Sequence, residues 1–203
     1  MISMTNQKGV ALIVALIMLL IVTLLGTVVM RGASLDMKMA NNGQERQQAF
    51  NAAEAALSEA ESSLVAMTIS DSDLTGTCSG EHCFNSDCTN GYCFFGSYEG
   101  ETKSQGNCSP DPVSGELKQP WNDAEIWKTE TRYIKTTAFK AGDGSAVEAR
   151  YIVEFRCFID GDQGTIANNG GDMLFRISAR GVSAAGNAEV MLQSTFRRSI
   201  TNN

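Results

Sequence analysis

Hydrophobic and polar residues are spread unevenly along this 203-residue chain. From Val10 to Met30 there is no charged residue. About 21 apolar residues make a helix of roughly 31 Å, enough to cross a hydrocarbon core of about 30 Å. Past Met30 the pattern becomes that of an amphipathic helix. Phe50, Ala53, Leu57, Ala60 and Leu64 recur at 3-4-3-4 steps and share one face, while Glu45, Gln48, Glu54, Ser58, Glu59 and Glu61 fall mostly elsewhere and can stay wet. Ala, Glu and Gln favour helix and no Pro interrupts, so a single helix is expected from Val10 to about Met67, roughly 87 Å long. Asn41-Asn42-Gly43 is its weak point, the place where a kink or local break would fall.

Residues 68–130 lose this periodicity and are rich in Ser, Gly, Asn and Asp, which reads as a long irregular loop. Residues 131–203 then alternate. Thr131–Lys140 alternates loosely. Val147–Ile159 places Val147, Ala149, Tyr151, Val153, Phe155 and Cys157 on one face and Glu148, Arg150, Glu154 and Arg156 on the other. Met173–Arg180 groups Met173, Phe175, Ile177 and Ala179; Ala188–Arg198 groups Val190, Leu192 and Phe196. Gly-Asp-Gly, Asn-Gly-Gly and Gly-Asn turns separate these stretches. The expected architecture is α+β: a long N-terminal helix packed on a four-stranded antiparallel sheet, with a Cys-rich region between them.

Composition narrows the function. Lys+Arg number 16 against Asp+Glu 23, a net charge of −7, which argues against a general nucleic-acid binder. The six cysteines are Cys78, Cys83, Cys88, Cys93, Cys108 and Cys157; the first four stand five residues apart. An even count behind an export-like N-terminus reads as disulfides in an oxidising compartment, with 15 possible connectivities. A bond from Cys157 to the loop would tie loop to sheet and leave four cysteines to pair locally. Zinc fits poorly, because the gaps between the first four are four residues throughout, without the closer pairs that zinc sites favour, and an oxidising compartment disfavours thiolate ligands. His82, the single His, has no nucleophile motif beside it and reads as a solvated loop residue, so no catalytic residue is assigned. Asp160-Gly161-Asp162-Gln163-Gly164 has part of a calcium-loop pattern, but Gly164, Thr165 and Gly171 depart from it, so a turn is expected. No cofactor is expected, calcium at that turn being the one alternative.

The N-terminal run is longer than the apolar region of an ordinary signal peptide and no A-x-A-like site follows it, so it is expected to be retained. The unusual boundary is Lys8-Gly9, just before the run. This placement resembles the class III leader of type IV pilins and type II secretion pseudopilins. The stretches QKGVALIVALIMLLIVTLLG, MRGASLDMKMANN and especially RQQAFNAAEAAL (Arg46–Leu57) resemble the N-terminal region of PilX-type minor pilins. The ending LFRISARGVSAAGNAEVMLQSTFRR resembles their C-terminal region; Thr68–Trp127 has no counterpart in the resemblance. Major pilins bracket a C-terminal loop with two cysteines. Here the last cysteine is Cys157, so a standard D-region is not expected.

The resemblance implies that residues 1–9 are removed by a prepilin peptidase cutting after Gly9, with methylation of the new N-terminus at Val10. It implies partners in other minor pilins and the major pilin through the N-terminal helix, and in a large tip-associated adhesin. It also implies an inner-membrane protein with a periplasmic head before assembly and a pilus-tip location afterwards, supporting adhesion and twitching motility. Most type IV pilins carry Glu at the fifth mature position, where this chain has Val14. A carboxylate in an apolar helix is costly unless paired. Its family partner is the N-terminal amine of the preceding subunit, so Val14 suits a subunit with no predecessor. Two alternatives remain at this point: a type II secretion K-type tip pseudopilin, and a periplasmic enzyme or binding protein on an uncleaved anchor with an incidental Gly.

Overall fold

A computed structural model describes residues 8–74, 78–94, 119–136, 139–142, 144–159 and 172–199. The chain falls into two compact units, residues 1–44 and 45–203. Helix α1 (Lys8–Ala66) belongs to both and runs without a break through Asn41–Gly43. The poor helix formers there are exposed, and continuity costs only their small intrinsic penalties.

The second unit is built on a mixed sheet. Its strands are β1 (Tyr92–Phe94), β2 (Ile134–Thr136), β3 (Ala149–Ile159), β4 (Asp172–Val182) and β5 (Glu189–Arg198). β3, β4 and β5 form the expected antiparallel meander, and β2 pairs antiparallel with the start of β3. The purely antiparallel expectation fails at β1, which runs parallel to β3 with Tyr92 opposite Val153 and Phe94 opposite Phe155. This strand comes from within the Cys-rich stretch. Three residues among turn formers give no readable alternation.

One face of the sheet packs on α1. Ala149, Tyr151, Val153 and Phe155 of β3 and Met173, Phe175, Ile177 and Ala179 of β4 are buried there. The helix presents Ala49, Ala52, Ala53, Ala56, Ala60 and Leu64, all fully buried, while Phe50 and Leu57 of the expected stripe are only half-buried. The stripe is turned because small side chains let the backbones approach. At Gly181 of β4 a Cβ would lie 2.6 Å from the Ala53 nitrogen and closer still to the Ala49 carbonyl oxygen. Several acids expected to stay wet instead tie helix to sheet. Thr136 donates to Glu59, Ser194 Oγ donates to Glu61 at 3.0 Å, and Asn187 Nδ2 donates to Glu45 at 3.2 Å.

The Cys-rich region contributes to this core. Phe84 is fully buried, with its ring centroid 5.2 Å from Tyr92 and 5.6 Å from Phe175; Phe94 stacks on Phe155 at 5.8 Å. Aromatic pairs at such distances add to the burial of their area. Residues 83–94 of this region are therefore part of the core rather than only an irregular loop.

The opposite sheet face, which carries the charged residues of β3, is covered as well. The segment from Gln119 to Tyr133, including the short helix α2 (Ala124–Lys128), lays Ile126, Trp127 and Tyr133 against Ile152 and the Cys88 and Cys93 side chains. Asp123 caps α2 by accepting from the Glu125 amide at 3.0 Å.

Candidate functional site

Two regions carry the residues singled out from sequence. The first is the start of α1. Gly9–Thr27 is long and apolar enough to span a bilayer, with a mean hydropathy of 2.9. Its side chains are exposed, Val10 to 61% and Val14 to 51%, so this surface needs lipid or other apolar helices around it. Val10 and Val14 lie one turn apart and therefore on the same helix face. The hydroxyls of Thr23 and Thr27 donate to the carbonyls of Leu20 and Leu24 at 2.8 Å, so neither polar group enters the apolar surroundings unpaired. Gly9 begins inside the helix, next to Lys8.

The second region holds the cysteines. Cys78 pairs with Cys83 and Cys88 with Cys93, each closing a loop of five-residue separation. Cys157 is disulfide-bonded as well, and Cys108 lies outside the described residues. This is the expected division: four cysteines pair locally and Cys157 takes another bond. Its strand face is corrected. A β-bulge between Phe155 and Cys157 puts Cys157 opposite Leu174, whereas Phe155 is opposite Phe175. Opposed residues share a face, so the extra residue at Arg156 moves Cys157 to the side away from α1. His82 is partly buried, with its ring edge-on to Tyr92 at 5.9 Å. The Asp160–Gly164 turn lies outside the described residues.

Sequence reasoning missed the charge network beneath the covering segment. Glu154, on the charged face of its strand, is fully buried. It accepts from Arg176 Nη2 at 2.7 Å and Nε at 3.0 Å, and from Arg156 Nη1 at 2.5 Å. Arg176 Nη1 also donates to Gln119 Oε1 at 2.7 Å, which accepts in addition from Trp121 Nε1 at 2.5 Å. Arg150 donates to the Trp127 carbonyl at 2.6 Å and lies over the Tyr133 ring at 5.3 Å. Arg180 lies over the Trp127 ring at 4.6 Å. A buried carboxylate is tolerated when its lone pairs are filled in this way. The readable signal was Ile152, an apolar residue amid the charges of the outward face, together with the Trp-bearing segment at 119–127 able to cover it.

Two family models match the chain. One, described as PilX N-terminal, covers residues 8–58; the other, described as type IV pilus assembly protein PilX C-term, covers residues 76–198. The chain belongs to the PilX family. The C-terminal match includes the Cys-rich region, so it extends beyond the stretches whose likeness is readable by eye. No curated protein and no solved structure matches the chain. Membership implies a minor-pilin role within type IV pilus assembly, in company with other pilins. The family is one of structural pilus components and not of enzymes. The exposed apolar helix is consistent with membrane anchoring and a place in the pilus.

Proposed function

We propose that this chain is a minor pilin that primes type IV pilus assembly and stays at the pilus tip, where it supports adhesion and twitching motility. Residues 1–9 are cleaved by the prepilin peptidase at Gly9–Val10, and Val10 is N-methylated. Residues 10–30 then serve as membrane anchor and afterwards as a filament-packing element. Residues 68–130 form the partner-facing part of a head that folds in the periplasm, where its disulfides form.

The reading rests on Val14. An anionic group at this position would need a cation within the apolar surroundings. Valine leaves nothing to pair with the terminal amine of a preceding subunit, while the chain's own amine at Val10 remains able to receive a carboxylate from a following one. Such a subunit starts a filament and does not extend one. The test is the location of epitope-tagged protein on sheared pili. Wild type is expected at one end only, and Val14→Glu at points along the shaft. Wild-type label along the shaft, or Val14→Glu confined to the end, contradicts the initiator role.

A further inference from the structure

β5 is the last strand of the sheet, and among the described residues nothing pairs with its outer edge. Its inner edge is fully engaged, with ten consecutive pairs from Val182–Glu189 to Met173–Arg198 and no register shift. Proteins usually guard a long edge with Pro, charged side chains, a bulge or a very short strand. Glu189–Arg198 contains no Pro and no bulge, and its charges stand only at its two ends, at Glu189, Arg197 and Arg198. Between them it offers a row of backbone donors and acceptors.

A second feature lies at the end of this edge. Arg150, Arg156, Arg176, Arg180 and Arg197 each have a carbonyl or carboxylate partner. Arg198 differs: it is half-buried, its Nη1 is buried without a hydrogen bond, and burial draws its pKa below the usual arginine value. The chain's own acids near the edge are already engaged, Glu189 by Arg180 at 3.1 Å, Asp172 by Arg197 and Glu61 by Ser194. Among the described residues no carboxylate reaches the Arg198 guanidinium, and pairing a partly desolvated guanidinium is favourable.

We propose that the free edge of β5 takes up an extended, acidic segment of a partner protein as an added strand, with a partner carboxylate on the open side of the Arg198 guanidinium. Backbone pairing supplies the affinity, and Arg198 supplies the preference for acid. None of these residues belongs to the apolar run at residues 10–30, so the proposal stands whether or not the chain starts filaments.

The test uses the full mature chain, isotope-labelled in detergent micelles, and two blocked ten-residue peptides of alternating Val and Thr, one with two Glu substituted for Thr and the other with two Lys. The Glu peptide is expected to shift and protect the amides of residues 189–198 and to bind about tenfold more tightly than the Lys peptide. Arg198→Gln is expected to keep the strand signals but bring the two peptides within about twofold of each other. The proposal fails if neither peptide perturbs β5, if both bind wild type equally, or if Arg198→Gln leaves the preference intact. It also fails if β5 amides change with protein concentration alone, because the edge then takes a second copy of this chain.

Discussion

Gly181→Ala tests how closely α1 lies on the sheet. The added Cβ would stand 2.6 Å from the Ala53 nitrogen and nearer to the Ala49 carbonyl oxygen, against ordinary contacts of about 3.5 Å. Both atoms are backbone, so no rotamer change relieves the clash and Ala49→Gly gives no rescue. The helix must lift by roughly 1 Å, and a gap of that size forfeits a quarter to a half of each dispersion contact along Ala49, Ala52, Ala53 and Ala56. Added to the usual cost of overpacking, the expected loss is about 3 kcal/mol, or a fall in Tm of roughly 6–12 °C for a unit of this size. Thermal and urea unfolding followed by Trp fluorescence in detergent reads this directly. Gly43→Ala is the control. Nothing lies within 4 Å of its added Cβ, so it is expected to leave stability unchanged or raise it by up to about 1 kcal/mol. A Gly181→Ala protein within about 0.5 kcal/mol of wild type would refute the close approach.

Glu154→Leu strands Arg156 and Arg176 beneath the covering segment and is expected to cost about 3–5 kcal/mol, read by the same unfolding curves. Replacing Glu154, Arg156 and Arg176 together by Met is expected to cost less than the single change, and a triple variant that is worse counts against the network's desolvation reading. Burial raises the pKa of Tyr151, with the nearby Glu59 and Tyr92 adding to it, and burial likewise raises Tyr92 against an opposing hydrogen bond with Ser63. Their neutral forms are favoured in the folded state, so this stability is complete below the ordinary tyrosine value of 10.0 and is lost as pH rises beyond it. Tyr151→Phe is therefore expected to flatten the alkaline limb of stability against pH, and an unchanged limb removes Tyr151 as its source. Non-reducing peptide mapping is expected to recover Cys78 with Cys83, Cys88 with Cys93, and Cys157 with the remaining cysteine, Cys108. Opening either local loop is expected to cost about 2 kcal/mol.

The long helix and β3 to β5 were legible because their signals are local. An uncharged run, a 3.6-residue period and a two-residue period each follow from backbone geometry alone. What was not legible depended on segments distant in sequence. Phe50 and Leu57 are the larger apolar residues, yet the close approach at Gly181 selects the alanine stripe beside them. Glu154 and Arg156 alternate as a wet face should, and only the cover from Gln119 to Tyr133 buries them. Cys157 shares the parity of Phe155 until the bulge at Arg156 reverses it. β1 is too short for periodicity to reveal and is stabilised by aromatic contacts instead. The helix that carries Val10 and Val14 was readable from composition alone, and it begins two residues earlier than the uncharged run, at Lys8.

The mature N-terminus bears most directly on the pilin reading. Protein purified from membranes and from sheared pili is digested, and its first peptide is sequenced by mass spectrometry. The predicted result is a chain beginning with N-methylated Val10 in both fractions. A first peptide that retains Lys8-Gly9, or an unmethylated start elsewhere in the chain, would contradict it.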